Sequence, residues 1–281
     1  KKIFSAPTVR QELEQLIDRS PSPSSAQTHL LRLIESSGTK AIDKIPAGDR
    51  PALIFLLGSS AFLSDVLIRE GANWPELFQR QIKIKQKAAS VHAKELNVAI
   101  EALRSFDDFC AALRQHKQRE YLRIGARDLL ASVTMEETVR ELTALAEASL
   151  DAAYRFCRAE VEKDYGALNL AGSAKPNRFV VLGMGKLGGG ELNFSSDVDV
   201  IYLYEDDDGE SAGGPKGKVG PREFFGAIGQ KIIHAMGDVT EDGFVFRIDL
   251  RLRPLGANGP LVQWVNSAMI YYESWGQCWE R

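Results

Sequence analysis

The sequence predicts an α+β protein, with an all-helical domain over residues 1–172 and a smaller domain over residues 173–281 built on a mixed sheet with flanking helices. Three observations predict it. Apolar residues recur at helical spacing from about residue 7 to residue 170. The run Gly172-Ser173-Ala174-Lys175-Pro176-Asn177 then has the composition of a linker, and beyond it short β-rich runs are separated by glycines. A chain of 281 residues, 44% hydrophobic and 26% charged, is long enough to bury two cores.

In the first half, dense punctuation is confined to Ser20-Pro21-Ser22-Pro23-Ser24-Ser25, to Gly38, and to the stretches 46–51 and 71–75, which cut the periodic sequence into successive helices. The clearest helix opens at Thr134 with Glu137 three residues later, a capping box in which each side chain satisfies a free backbone N–H of the other residue. Val139, Leu142, Leu145, Ala146, Ala153 and Phe156 follow on one face until Gly166 ends it; such a stripe is a buried helix face. In the second half, residues 179–182 (FVVL), 198–204 (VDVIYLY) and 244–252 (FVFRIDLRL) read as strands, with a helix over 223–236. The Gly- and Pro-rich segment 205–220 reads as a mobile surface loop whose acidic run, Asp206-Asp207-Asp208, is solvated. Trp264, Trp275 and Trp279 are expected to pack into the core rather than form a base-stacking platform.

Composition narrows the function classes. The most apolar stretch, 52–63, is broken by Gly58, Ser59 and Ser60 and falls short of the roughly 20 residues of a membrane span. The opening Lys1-Lys2-Ile3-Phe4-Ser5 has a basic pair without an apolar region behind it, unlike a secretory signal. Three widely spaced cysteines, Cys110, Cys157 and Cys278, fit neither a disulfide framework nor a metal knuckle, so a reducing cytoplasm is the expected compartment. With 35 basic against 38 acidic residues the balance is mildly acidic, which speaks against a nucleic-acid partner.

Gly183-Met184-Gly185-Lys186-Leu187-Gly188, directly after the first strand, fits the dinucleotide pattern G-x-G-x-x-G. That reading requires a crossover helix, and a βαβ crossover needs at least about 10–12 residues. Only residues 189–196 precede the next strand. A phosphate loop of the Walker type also fails, because Lys186 is followed by leucine where Ser or Thr is required. What remains is a glycine turn, a short helical turn, and a strand entered through Ser195-Ser196-Asp197-Val198-Asp199.

In that strand Asp197 and Asp199 share a face, with Val198 and Val200 toward the core. Adjacent carboxylates repel, and such a pair commonly holds a divalent cation; the bland alternative is an exposed half-polar strand. Further on, Arg247-Ile248-Asp249-Leu250-Arg251-Leu252-Arg253 alternates strictly, which would put Asp249 on one face with three arginines. This is either a surface salt-bridge row or a third metal ligand flanked by phosphate clamps.

A glycine turn, D-x-D and a lone Asp on a later strand resemble polymerase-β-like nucleotidyltransferases. The blocks GMGKLGGGELNFSSDVDVIYLY (183–204), FRIDLRLRPLGANGPLV (246–262) and YYESWGQCWER (271–281), with a weaker match at LRIGARDLL (122–130), resemble the bifunctional glutamine synthetase adenylyltransferase/adenylyl-removing family. Asn193-Phe194-Ser195-Ser196 before the D-x-D is similar to the N-terminal, adenylyl-removing domain. Because that family carries two such domains in tandem, the resemblance implies that this chain is a piece of a longer protein. Lys186 after Gly185, and Gln277-Cys278 in the last block, depart from the wider pattern.

The resemblance implies that Asp197, Asp199 and Asp249 bind Mg²⁺ or Mn²⁺, and that the turn holding Gly185, Lys186, Gly188 and Gly189 cradles phosphate through backbone N–H groups, with Ser196 in the same binding set. Arg247, Arg251, Arg253 and Lys186 are then the cations for an anionic nucleophile. The implied reaction is phosphorolysis: inorganic phosphate takes AMP from a tyrosine of glutamine synthetase and leaves as ADP. The implied partners are glutamine synthetase, the PII signal protein, ATP and ADP, with no nucleic acid and no membrane. The alternatives are the ATP-dependent adenylylating half of the family, or a helical docking module for glutamine synthetase or PII with weak catalysis. A dinucleotide-dependent oxidoreductase would be revived only by nicotinamide cofactor binding.

Overall fold

Proline and small polar residues set the helix starts. In a computed structural model, which describes residues 7–103 and 105–276, Pro23 stands in the first turn of its helix, where the missing N–H costs nothing, and Ser60 Oγ accepts the Leu63 N–H at 3.3 Å at the start of another. The helices are α1 Pro7–Asp18, α2 Pro23–Ser37, α3 Lys40–Asp43, α4 Arg50–Ser59, α5 Ala61–Arg69, α6 Trp74–Gln81, α7 Ala89–Ile100, α8 Phe106–Leu129, α9 Met135–Tyr165, α10 Gly185–Gly188, α11 Pro221–Gly237 and α12 Val265–Ser274. The strands are β1 Phe179–Gly183, β2 Val198–Tyr204, β3 Ile248–Asp249 and β4 Val262–Trp264. The α+β class read from the sequence is the class of this structure.

The change of texture near residue 172 is where helices give way to strands, but compact packing follows another line. One compact unit consists of the residues up to Gln86 with Lys117–Thr138; the other consists of Lys87–His116 and the residues from Val139 onward. α8 and α9 each contribute to both.

The first unit is all helix. Leu30 and Leu33 of α2, Leu53, Leu56 and Leu57 of α4, Leu67 of α5, and Trp74 and Phe78 of α6 close on Leu122 and Ala126 of α8. Trp74 satisfies its buried indole N–H on Ser37 Oγ at 2.9 Å. Buried Arg123 pairs with buried Glu120 and donates to the Lys85 carbonyl at 3.2 Å, so the charges are taken inside together. Among the described residues no single helix is long and apolar enough to cross a membrane. One bent pair, Ala47–Ser59 with Ala61–Arg69, passes by length and composition, but it turns through 117° and its leucines form this core.

The second unit carries the sheet. The capping box at Thr134 is formed in both directions, Thr134 N–H to Glu137 Oε2 at 3.0 Å and Glu137 N–H to Thr134 Oγ1 at 3.2 Å, and Gly166 ends the helix at a φ of +73°. β1 runs antiparallel to β2 with Phe179 opposite Tyr204 and Gly183 opposite Val200. β3 and β4 both run parallel to β2, β3 beside Val198 and Asp199, β4 beside residues 202–204. Val198, Val200, Ile201 and Tyr202 are buried, and α11 covers the sheet with Phe224, Phe225, Ile228 and Ile232. Gly229 lets α11 approach, since a Cβ there would lie 3.2 Å from the Tyr202 ring.

Several expectations change. The strand read over 244–252 is only Ile248–Asp249: upstream, Val245 and Phe246 donate to the Met236 carbonyl at the end of α11, and downstream the chain turns at once. β4 lies in a run that carried no strand expectation. The 205–220 segment is tied down, with Ala212 N–H on Ala167 O and Gly213 N–H on Tyr165 O, both at 2.8 Å, and with Ser211 buried. Gly214 is required by contact, because a Cβ there would sit 2.5 Å from the Asp164 carbonyl oxygen. Trp264 is half-buried and donates to the Glu205 carbonyl at 3.1 Å, whereas Trp275 is 74% exposed and not a core residue. Trp279, Gln277, Cys278 and the basic pair at the N-terminus lie outside the described residues; Cys110 and Cys157 are buried free thiols.

Candidate active site

The glycine turn is built by contact as much as by flexibility. Gly185 has a φ of +51°, and a Cβ there would stand 2.8 Å from Asp199 Oδ2. At Gly188 a Cβ would fall 2.6 Å from the Gly183 carbonyl oxygen, so the helical turn folds directly back on β1. Leu187, buried, pins it, and Met184 N–H bonds the Asp199 carbonyl at 2.9 Å. The spacing that mimics a dinucleotide fingerprint thus presses backbone against β1 and against one carboxylate of β2.

The turn uses part of its own N–H supply. Gly188, Gly189 and Gly190 donate to Met184, Gly185 and Leu187, and Glu191 to Lys186. The phosphate cradle expected across 185–189 therefore narrows to the N–H groups of Gly185, Lys186 and Leu187, for which no backbone acceptor is found among the described residues. Lys186 is exposed. Ser196 turns its hydroxyl to Asn193 Oδ1, closing the bend that feeds β2.

The parallel register places Asp199 directly beside Asp249, and Asp197 precedes Val198 on the Asp199 face of β2. Each outer carboxylate has a guanidinium. Arg247 Nε bonds Asp197 Oδ1 while its Nη2 holds the Ser195 carbonyl at 2.9 Å. Arg251 clasps Asp249, Nε to Oδ2 at 2.8 Å, and Arg251 N–H reaches Asp249 Oδ1 at 2.8 Å. Burial, then the Asp249 and Asp197 charges, push the Asp199 carboxyl above its ordinary value, partly offset by Arg251 and Lys186. The Arg251 hydrogen bonds hold the Asp249 carboxyl below the usual range.

Arg253 behaves differently from the flanking clamp that strict alternation suggested. It donates to the carbonyls of Leu250 at 2.8 Å, Pro260 at 3.1 Å, Gly259 at 3.2 Å and Ala257 at 3.3 Å, tying together the loop between β3 and β4. With β3 ending at Asp249, Arg251 and Arg253 stand on a turn and not on a common strand face.

Three carboxylates at one end of a sheet are hard oxygen donors suited to Mg²⁺ or Mn²⁺. Their ligand atoms do not all lie within 4.8 Å of one another; the one His, Cys, Asp or Glu trio among the described residues that meets that limit is elsewhere.

Two positioning residues carried no sequence signal. Buried Arg114 of α8 donates to the carbonyls of Asp238, at 2.7 Å, and Gly243, at 3.0 Å, fixing the turn that leads into β3. Thr143 Oγ1 of α9 accepts the Leu192 N–H at 3.1 Å, anchoring the segment between the glycine turn and β2.

A family model described as glutamate-ammonia ligase adenylyltransferase matches residues 51–281. A bifunctional glutamine synthetase adenylyltransferase/adenylyl-removing enzyme of Pseudomonas aeruginosa is 36% identical over 275 residues, covering 93% of this chain and 28% of its own length. The enzyme of that name from Thioalkalivibrio sulfidiphilus is 36% identical over 264 residues, covering 92% of this chain and 26% of its own. One from Burkholderia pseudomallei is 42% identical over 177 residues, covering 63% of this chain and 19% of its own. This chain thus spans about a quarter of the length of the first two relatives. The matched residues contain the whole glycine turn, all three aspartates and their arginines, and the chain belongs to the glutamate-ammonia ligase adenylyltransferase family.

Proposed function

We propose that this chain carries an adenylyl-removing nucleotidyltransferase centre that takes AMP from an adenylylated tyrosine of glutamine synthetase, with inorganic phosphate as the acceptor. The observation that carries the proposal is the register that sets Asp199 beside Asp249 with Asp197 next on the same face, under a glycine turn whose backbone touches Asp199. Asp197, Asp199 and Asp249 are the residues that would hold Mg²⁺ or Mn²⁺, and the bound cation would supply charge stabilisation to the phosphoryl oxygens.

This chain's own residues bind and orient. The Asp199 carboxyl is raised by burial first and then by the Asp249 and Asp197 charges beside it, only partly offset by Arg251 and Lys186, and a cation there would relieve that repulsion. Gly185, Lys186 and Leu187 offer N–H groups to a phosphate, and the exposed Lys186 adds a point charge beside them. Arg251, 79% exposed at its side chain, and Arg247, 56% exposed, are the guanidiniums accessible to an incoming anion. Arg253, committed to carbonyls, is assigned to the loop and not to the anion.

In the reaction a phosphate oxygen forms a bond to the adenylyl phosphorus and the bond from that phosphorus to the tyrosine oxygen breaks. The proton of hydrogen phosphate ends on the tyrosine oxygen, and ADP leaves. Two anions must meet at one phosphorus, and fixed cations around the aspartates make that tolerable. The direction is supported by Asn193-Phe194-Ser195-Ser196, the wording that resembles the removing domain.

The test supplies adenylylated glutamine synthetase with Mg²⁺, with and without phosphate, and measures ADP. Phosphate-dependent ADP release that is lost in Asp199→Asn is expected. Incorporation of AMP from ATP without phosphorolysis would instead assign the chain to adenylylation.

A further inference from the structure

A second cluster of ligating side chains lies in the sheet-bearing unit, on helices and away from the three aspartates in sequence. His92 and Glu95 are three residues apart on α7, so one helix face presents both. His116 of α8 brings its ring edge-on to His92, with centroids 6.2 Å apart and ring planes at 88°. One ligand atom from each of His92, Glu95 and His116 lies within 4.8 Å of the other two. We propose that these three side chains form a binding site for a transition-metal dication of the zinc class, distinct in chemistry from the carboxylate centre.

Two imidazoles and one carboxylate are a donor set suited to zinc, cobalt, iron or nickel; magnesium and calcium prefer all-oxygen sites. Tetrahedral sites with bonds of about 2.0–2.1 Å have ligand–ligand edges near 3.4 Å. The separations here need to close by no more than about 1.5 Å, within reach of side-chain rotation. His92 is wholly buried while Glu95 and His116 are half-buried, which leaves a route for the ion and room for a water as fourth ligand. Lys87, itself 8% exposed, donates from Nζ to Glu95 Oε2 at 2.8 Å. It takes one oxygen and orients the carboxylate, as outer partners of metal ligands do, so the other oxygen is the ligand. Because α7 and the first part of α8 are joined by a short connection, a shared ion would staple the two helices above it.

The probe is Co²⁺, added to the full chain after chelation and followed by its visible d–d absorption, with Zn²⁺ as competitor. One equivalent of cobalt should give the intense spectrum of a four-coordinate site and be displaced from it by Zn²⁺ but not by Mg²⁺, whatever further cobalt the aspartates take up. Saturating Zn²⁺ should raise the melting temperature by about 5 °C at a hundredfold excess over Kd, reversed by chelator. Glu95→Gln and His116→Gln, at half-buried positions that tolerate the exchange, should each weaken cobalt binding by at least about tenfold, and Asp199→Asn should leave it unchanged. Absence of the cobalt spectrum in the parent chain overturns the proposal. So does a spectrum that survives both ligand variants, or one that vanishes in Asp199→Asn, which would move the ion to the carboxylates.

Discussion

Three glycines within five residues offer a graded test of how the turn under Asp199 works. A Cβ at Gly188 would meet the Gly183 carbonyl oxygen at 2.6 Å and its carbon at 3.2 Å, and Gly183 is held in register with Val200. Backbone faces backbone there, so Gly188→Ala must displace β1 or the helical turn, at a cost of about 1–3 kcal/mol as for other overpacked sites. At Gly185 the obstacle is the end of a side chain, Asp199 Oδ2 at 2.8 Å, together with a φ of +51°. Asp199 can rotate away, leaving about 1–2 kcal/mol for the left-handed backbone. At Gly189 the nearest atom would be 3.5 Å away and φ is −80°, so alanine fits and stabilises by about 0.4–1 kcal/mol through the unfolded chain. Urea unfolding should therefore rank Gly189→Ala above the parent and both other variants below it. Activity should rank differently: Gly185→Ala, which turns Asp199 out of place, loses turnover beyond what its stability loss explains. A Gly188→Ala variant as stable as the parent, or a Gly185→Ala variant with parental turnover, would refute the contact reasoning.

Two further outcomes follow from the charges. Asp199 has a folded pKa above its unfolded value near 3.9, so its ionisation works against the fold as pH rises through the raised value. Asp199→Asn should then stabilise the metal-free chain at neutral pH, by less than about 1 kcal/mol for a partly exposed group, with the gain gone below about pH 3.9; thermal melts across pH that show no such crossover would refute a carboxyl raised by burial and by its acidic neighbours. Arg251→Ala should leave stability nearly unchanged, as for an exposed pair, yet raise the apparent KM for phosphate more than that for adenylylated glutamine synthetase. Arg253→Ala, stripping a charged donor from four carbonyls, should cost about 1.5–3 kcal/mol and leave the phosphate KM near the parental value; the reverse pattern would exchange their roles.

What the sequence disclosed, and what it hid, follows from the range of the interactions. β2 and the aspartate pair were legible because the β-rich run 198–204, in which only Asp199 and Leu203 are not fully buried, is a local property of one strand. The glycine turn was legible for a similar reason: too few residues follow it to build a crossover helix. β3 misled because Arg247 to Arg253 alternates like a strand while Asp249 does something a pattern does not record. Its carboxylate accepts the Arg251 N–H, the local side-chain bond by which Asp competes with a ladder, and Pro254, with Leu255 at a φ of +65°, completes the turn. The composition of 254–259, rich in Gly, Pro and Asn, was the available signal against a long strand.

The hardest feature to read was the one that matters most for the site, the packing of α7, part of α8 and most of α9 with the sheet. Helical periodicity reports that a face is buried, and it is silent on what buries it. Phe109 of α8 and Phe156 of α9 stack at 4.1 Å, while Tyr154, two residues before Phe156 and on a different face of α9, stacks on Phe179 of β1 at 5.4 Å. Their spacing puts them on different faces of α9 but does not say which element each face meets. The same holds for Arg114, which in a helical run looks like solvated surface yet lies buried with its guanidinium on the turn before β3. Each aspartate is supplied by sheet sequence that announces itself, whereas the frame that fixes β3 and the entry to β2 is supplied by helix residues, Arg114 and Thr143, whose partners lie more than 45 positions away. A candidate centre of this kind is therefore read from sequence as a set of acids, and the long-range partners that position it become visible only in the folded chain.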